Sequence, residues 1–250
     1  MSNFKVDDIP QGLINAFKEQ RGSLFIGAGL SVSAGLPTWA GLIQELLDEV
    51  KNVTRISQDD YDSCVRLSVD SNKFLLLAEE LRDRLGNEAF RQFVIRRFDT
   101  NSPQPTALHE KLVNLLYNFI VTTNYDTLIE DAFASTMKKV PSVYNYDDSS
   151  DIANSLWDKR RFILKAHGDA KIYKDGIVMT EQDYRKLIFS RPGYQAILQV
   201  IFTTNTLLFL GASLSDPEIK MFLSYLRNAY HGGGPIHYAL IAKDKIDNIE

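Results

Sequence analysis

The feature that most constrains the fold is a series of short apolar runs, each followed directly by small or polar residues. They occupy residues 24–27, 119–123, 142–146, 162–166, 207–211 and 237–242, and the run at 142–146 is the weakest. Near-continuous apolar runs predict strands buried on both faces, and the amphipathic segments between them predict helices. The sequence therefore predicts an α/β fold with a doubly wound, mostly parallel Rossmann-like sheet and helices on both faces.

The spacing of the predicted strands is uneven. Residues 28–118 separate the first strand from the second and carry a helical pattern throughout, although a crossover helix needs far fewer residues. We expect one domain over residues 1–250, with a core of residues 1–45 and 102–250 and a helical insertion at residues 46–101. Thr106 is predicted to cap the helix that follows the insertion, and Asp175-Gly176 predicts the turn of a hairpin.

Composition excludes several classes of protein. The net charge is -4 and no long basic run is present, so direct nucleic-acid binding is not expected. The single cysteine, Cys64, rules out an internal disulfide and a cysteine-based zinc cage within the chain, and no metal is expected. Neither a signal peptide nor an apolar run of the roughly 20 residues that cross a bilayer is evident. These features predict a cytoplasmic protein without a membrane contact.

The first predicted strand ends in a glycine-rich turn. Gly27, Ala28 and Gly29 are followed by Ser31 and Ser33, whose hydroxyls could donate hydrogen bonds. A bare backbone between a strand and a helix suits a phosphate, because N–H groups and the helix dipole face the anion. A tight turn without a ligand is an equally open interpretation, since Val32 stands where the G-x-G-x-x-G fingerprint has its third glycine.

Three further predicted strands end in polar or small residues. Asn124 and Asp126 follow the second run, His167 follows "FILKA", and Gly211, Ala212 and Ser213 follow "LLFL". The carboxyl ends of parallel strands share one edge, where such folds bind ligands. Asn124 or Asp126 as a simple helix cap remains an alternative. A structural role is predicted for the "TTNT" sequence at residues 203–206 and for three other histidines: His109, His231 and His237.

Four ordered motifs resemble the sirtuin superfamily: "GAGLSVSAGLPTW", "TTNYD", "HGD" and "GAS". The chain departs from protein-deacylating sirtuins because no cysteines follow the "HG" motif to hold zinc. The family's "GIPDFR" is replaced by residues 35–40, "GLPTWA", and its "QN" by Thr123-Asn124. In these departures the chain is similar to the zinc-free sirtuin-like domains of bacterial anti-phage systems, which hydrolyse NAD.

This resemblance implies that the chain takes NAD as its substrate, uses no metal and cleaves the nicotinamide–ribose bond. It implies catalytic roles for Asn124, which would orient water and a ribose hydroxyl, and for His167 as general base. The ordinary histidine pKa of ~6.5 suits that role. The implied NAD-binding residues are Gly27, Ala28, Gly29, Ser31, Ser33, Thr38, Trp39, Asp126, Gly211, Ala212 and Ser213.

Alternative functions remain open at this point. The chain could be a module that binds or senses NAD or an ADP-ribose derivative, an NAD-dependent protein deacylase, or an ADP-ribosyl transferase. An unrestrained NAD hydrolase would drain its own cell, so we expect a control element. That element is predicted to be a homo-oligomer, a partner protein or a fused sensor region.

Overall fold

The fold is given by a computed structural model that describes residues 5–100, 103–172, 176–214, 216–229, 231 and 233–241. The strands within these residues are β1 Gly22–Ile26, β2 Ile120–Thr122, β3 Ser142–Asn145, β4 Phe162–Lys165, β5 Thr206–Leu210 and β6 Tyr238–Leu240. They form one parallel sheet in the order β3-β4-β2-β1-β5-β6. Each predicted run contains a strand, which confirms the predicted α/β class; residue 242 of the last run lies outside the described residues.

Helices fill the connections between the strands. They are α1 Gln11–Lys18, α2 Trp39–Val53, α3 Gln58–Leu67, α4 Phe74–Leu85, α5 Asn87–Ile95, α6 Ala107–Val113, α7 Leu128–Met137, α8 Ser149–Trp157, α9 Glu181–Ser190, α10 Pro192–Thr204 and α11 Pro217–Ala229. Short 3-10 segments lie at Val6–Asp8, Ala28–Ala34 and Ser71–Lys73, and a π turn lies at Arg96–Thr100. In the described ranges, each helix is too short or too polar to cross a bilayer.

Both faces of the sheet are covered, as the apolar runs predicted. Leu24 and Ile26 of β1 pack on one face with residues of α6 and α7, whereas Phe25 packs on the other face with residues of α8 to α11. This division follows from the alternation of side chains along a strand. The sheet is therefore doubly wound.

The helices α2 to α5 form a third hydrophobic cluster, which continues onto Tyr125, Leu128 and Met179 beyond the sheet's carboxyl edge. The helical region thus packs against the loops that follow β2 and β4. Its predicted start at residue 46 falls inside α2, which begins at Trp39 because the Thr38 side chain accepts a hydrogen bond from the Gly41 N–H and caps the helix. The division into core and insertion stays a prediction.

Local predictions have mixed outcomes. Thr106 caps α6 in a capping box with His109, and residues 203–206 form the exit of α10 into β5, both as predicted. The hairpin around Asp175-Gly176 is wrong, because the described residues on both sides of it, 171–172 and 176–180, form no strand. Asp175 itself lies outside the described residues. Val178 instead donates its N–H to the His167 carbonyl oxygen at 2.9 Å, which ties this segment to the loop after β4.

Candidate active site

The parallel register brings four strand ends to one edge of the sheet. Ile26 in β1 is level with Thr122 in β2 and with Leu210 in β5, and Thr122 is level with Lys165 in β4. The residues that follow these strands are the predicted site residues, beginning at 27, 124, 167 and 211. Their side chains and turns therefore occupy the edge where parallel α/β sheets bind ligands.

The glycines at 27, 29 and 211 are required by contact between two turns. The N–H of Gly27 donates to the Leu210 carbonyl at 3.0 Å, and that of Gly29 donates to the Gly211 carbonyl at 2.9 Å. A Cβ on Gly29 would lie 2.8 Å from the Gly211 Cα, and one on Gly211 would lie 2.3 Å from the Leu30 nitrogen. The predicted reason for Gly27 and Gly29, N–H groups open to a phosphate, is therefore wrong, since both already have partners within the protein.

The segment after the glycine turn also differs from the prediction. A 3-10 segment, Ala28–Ala34, follows β1, and the next α-helix, α2, begins only at Trp39. The expected α-helix dipole at the turn is thus missing. Thr38 is exposed and caps α2, while Trp39 is half-buried with its ring 6.4 Å, centroid to centroid, from that of Phe74 in an edge-to-face arrangement.

A buried hydrogen-bonded chain joins Asn124, Ser31 and Asp126. The Ser31 hydroxyl donates to Asp126 Oδ2 at 2.9 Å and accepts from Asn124 Nδ2 at 3.0 Å. A carboxylate can only accept, so Ser31 must use its one proton toward Asp126, and its other partner must be the NH₂ of Asn124. Asp126 Oδ1 accepts from the N–H of Leu128, the first residue of α7, so this oxygen also has a structural role at the start of the helix, although the N-cap position is that of Thr127.

This chain fixes which way the Asn124 amide faces. With Nδ2 committed to Ser31, the carbonyl oxygen Oδ1 is buried and makes no hydrogen bond among the described residues. An unpaired buried acceptor is costly and signals either a ligand or a water. Asn124 thus presents an oriented acceptor that suits the hydroxyl of a sugar or a reacting water.

His167 lies next to this chain in the fold, because β4 is paired with β2. Its side chain is 3% exposed and its ring lies 5.1 Å, centroid to centroid, from that of Tyr184, edge to face. The Tyr184 hydroxyl donates to Asp216 Oδ2 at 2.8 Å, which links α9 to the residue just before α11. The residue after His167, Gly168, has a left-handed backbone with φ +89°, and a Cβ on it would lie 2.7 Å from the Gly176 carbonyl oxygen.

The predicted site residues separate into a buried polar group and an outer rim. Ser31, Asn124, Asp126 and His167 are each at most 6% exposed. The rim is exposed or half-buried and consists of Ala28, Gly29, Ser33, Thr38, Trp39, Gly211, Ala212 and Ser213. Gly27 is buried between the two turns.

Sequence reasoning missed a buried ionic cluster beside this group. Lys165, the last residue of β4, is 1% exposed and contacts Glu130 of α7 and Asp169. A lysine inside an otherwise apolar run was the signal, because lysine is almost never fully buried without a partner. No group of three or more histidine, cysteine, aspartate or glutamate side chains suited to a metal occurs in the part of the chain that the structure describes.

A cavity of about 210 Å³ lies elsewhere, at the amino end of β6, lined by Phe202, Arg227, Pro235 and His237 among others. His237 Nδ1 accepts the Leu207 N–H at 3.2 Å, and burial lowers the pKa of His237 to about 4. This histidine therefore stays neutral at neutral pH and joins β6 to β5. These contacts agree with the structural role predicted for it.

Replacing Gly211 with alanine is expected to lower the free energy of unfolding by about 3 kcal/mol, from the left-handed backbone and the overpacked turn together. Gly211 has φ +62° and no room for a Cβ. Gly35→Ala is the matched control, because Gly35 has φ +90° but nothing within 4 Å of an added Cβ. Urea denaturation measures both variants, and equal losses would show that the turn contact contributes nothing.

Comparison with known proteins agrees with this fold. The sequence model of the SIR2-like domain family matches residues 118–250. The chain is 28% identical over 228 residues to "NAD(+) hydrolase ThsA" of Bacillus cereus (strain MSX-D12), covering 91% of this chain and 44% of that protein. It is also 28% identical over 205 residues to "Defense-associated sirtuin 2" of Bacillus subtilis, covering 81% of this chain and 19% of that protein. A third relative, "NAD(+) hydrolase ThsA" of Acinetobacter baumannii (strain 532279), is 26% identical over 231 residues, which cover 92% of this chain and 44% of that protein.

The chain thus spans less than half the length of these curated relatives. The family match covers more than half of the chain and includes the strand ends that carry Asn124, His167 and Ser213. With its parallel sheet and its four ordered motifs, the chain belongs to the SIR2-like domain family.

Proposed function

We propose that the chain is an NAD hydrolase that splits the bond between nicotinamide and ribose. The observation that carries the proposal is the buried Oδ1 of Asn124, which has no hydrogen-bond partner among the described residues and whose orientation Ser31 fixes. Relatives named NAD(+) hydrolase, aligned over most of this chain, support the choice of substrate.

The reaction takes NAD and water to nicotinamide, ADP-ribose and a proton. The leaving nicotinamide departs as a neutral molecule from a cationic precursor, so no acid is required, and the sugar passes through a state resembling an oxocarbenium ion. Asn124 Oδ1 accepts a hydrogen bond from the attacking water or from a ribose hydroxyl and holds it at the anomeric carbon. His167 accepts the proton as general base.

The outer rim would bind the remainder of the dinucleotide. We assign phosphate and ribose contacts to the turns 27–29 and 211–213. Ser33 would accept a hydrogen bond from a ribose hydroxyl, because its own proton is donated to the Leu30 carbonyl oxygen at 3.1 Å. Gly27 and Gly29 would act by letting the two turns pack closely enough to form one binding surface, because their N–H groups already donate within the protein. Thr38 and Trp39 would line the nicotinamide side, and the free lone pairs of Asp126 and Ser31 would face the carboxamide.

Mass spectrometry of NAD after incubation with the purified chain tests the proposal. We expect nicotinamide and linear ADP-ribose in equal amounts. Measurable NAD binding without any product would contradict hydrolysis and indicate the sensing module instead. Adding an acetyl-lysine peptide separates the deacylase alternative, since only that reaction forms O-acetyl-ADP-ribose.

The biological role is proposed from the relatives' names. A relative is named as defence-associated, and we propose that this chain depletes NAD in a bacterial anti-phage response. Because the relatives are more than twice as long as the matched region, we propose that a further region, a partner protein or self-association controls the activity. We propose that the reaction takes place in the cytoplasm, where the enzyme would have access to the cellular NAD pool.

Replacing Ser31 with alanine is expected to lower the rate of nicotinamide release by about tenfold, the effect of losing one well-placed hydrogen bond of roughly 1.4 kcal/mol. The change removes the acceptor that holds Asn124 Nδ2 and the donor to Asp126. Ser23→Ala is the matched control, because the Ser23 hydroxyl is equally buried, in β1, but has no hydrogen bond among the described residues. Steady-state nicotinamide release measures both variants. Equal rates for Ser31→Ala and Ser23→Ala would show that Ser31 plays no part in the reaction.

A further inference from the structure

The buried Lys165 lies two residues before His167 and touches three separate segments. Its ammonium group donates to the main-chain carbonyl of Asp126, lies 3.2 Å from Glu130 Oε1 and lies 3.5 Å from Asp169 Oδ2. Asp126 belongs to the loop that carries Asn124, Glu130 lies in the first turns of α7, and Asp169 follows His167. One cation thus joins the two loops that carry the proposed catalytic pair.

The electrostatic surroundings keep this amine charged. Burial by itself would lower the pKa of Lys165, but the carboxylates of Glu130, Asp169 and Asp126 together outweigh burial and raise it. An apolar residue would fill the same space without the desolvation penalty of buried charges, so packing alone gives no reason for an ion here. What a charged lysine adds is directional hydrogen bonding to two fixed oxygen atoms, the Asp126 carbonyl and Glu130 Oε1, and an ion pair with Asp169.

A second set of contacts shows how close the two loops are. The Ala166 N–H donates to the Thr122 carbonyl at 2.8 Å, and the Ala170 N–H donates to the Tyr125 carbonyl at 3.1 Å. The loops therefore run side by side from residue 122 to residue 125, and Lys165 extends the contact by one residue because it binds the carbonyl of Asp126, between Asn124 and α7. Its removal would release the loop on the side of Asn124 that faces α7.

We propose that Lys165 is a positioning residue, which holds the loop of Asn124 and Asp126 against the loop of His167 through its contacts with the Asp126 carbonyl, Glu130 and Asp169. The inference rests on the proposed NAD hydrolysis for its effect on rate. It acts through the placement of Asn124 relative to His167 and makes no contact with substrate. Small misplacements of reacting groups are enough to slow an enzyme strongly.

The test uses a double variant of the full chain, Lys165→Met with Glu130→Gln. The single change would leave buried carboxylates without their cation and endanger folding, whereas the double change removes a positive and a negative charge together. Arg82→Met is the matched control. Arg82 is also a long cationic side chain that is largely buried, and it pairs with Asp183 from a distant segment at 2.9 Å.

Two measurements are made at a temperature well below the Tm of each variant. For NAD turnover, we expect the double variant to lose at least about tenfold in kcat with KM changed less than about threefold, because binding groups on the rim are untouched. Arg82→Met should keep the kcat of the unmodified chain. For hydrogen exchange followed by mass spectrometry, we expect faster exchange in peptides covering residues 123–128 of the double variant only.

The outcomes separate the inference from the proposed function. If the unmodified chain hydrolyses NAD and the folded double variant has the same kcat, the positioning role is wrong and the function stands. If the unmodified chain releases no nicotinamide, the proposed function fails, and hydrogen exchange alone decides the inference. Unchanged exchange at residues 123–128 overturns the positioning role in either case.

Discussion

Replacing His167 with alanine is expected to lower the rate of nicotinamide release by about 10²–10⁴-fold, the usual effect of removing a general base. The residue follows β4 at the edge where β2 delivers Asn124, and its imidazole is the one titratable ring among the predicted site residues. Since the transition state needs a proton acceptor more than the bound ground state does, kcat should fall more than KM rises.

The controls for His167 separate chemistry from packing. His167→Gln retains a polar side chain of similar length but cannot act as a base near neutral pH, so it should be as slow as His167→Ala while unfolding closer to the temperature of the unmodified chain. His231→Ala removes an exposed histidine of the loop before β6 and should leave the rate unchanged. Turnover of NAD by folded His167→Ala at the rate of the unmodified chain would exclude His167 as the base.

The parts of the fold that depend on hydrophobic pattern were predictable from the sequence. Residues 119–123 and 162–166 are apolar because β2 and β4 are covered on both faces, and the parallel order then forces Asn124 and His167 to the same edge. The predicted convergence of strand ends required nothing beyond this rule. The Thr106 cap was likewise predictable, because the cap depends on residues close in sequence.

The parts that depend on long-range contacts were not predictable. Gly29 and Gly211 are glycines because their two turns touch. The two residues are far apart in the sequence, and one sequence alone does not indicate that they are in contact. The same holds for Lys165, whose partners Glu130 and Asp126 come from another loop and helix. The cap of α2 was missed because Thr38 was assigned only to ligand binding.

The second large effect is expected at Asn124. Asn124→Ala should slow nicotinamide release by about 10²–10³-fold, comparable to the loss of a preorganised hydrogen-bonding group from an active site. The change removes both the buried acceptor Oδ1 and the donor to Ser31. Fixed-time release of nicotinamide at saturating NAD measures the effect, with ADP-ribose binding as a check that the outer rim still binds the nucleotide.

Asn124→Asp gives the sharper test, because it retains shape and an acceptor but loses the NH₂ group. Ser31 has a single proton and already gives it to Asp126, so a carboxylate at 124 would face the Ser31 oxygen without a hydrogen. The new negative charge would also be separated from Asp126 only by the Ser31 hydroxyl, and the oriented acceptor would be lost. We therefore expect Asn124→Asp to be as slow as Asn124→Ala.

Asn205→Ala is the control for these variants. It removes a buried asparagine at the opposite edge of the sheet and should destabilise the fold without slowing turnover. An Asn124→Asp variant that retains the rate of the unmodified chain would show that the fixed amide orientation plays no part in the reaction.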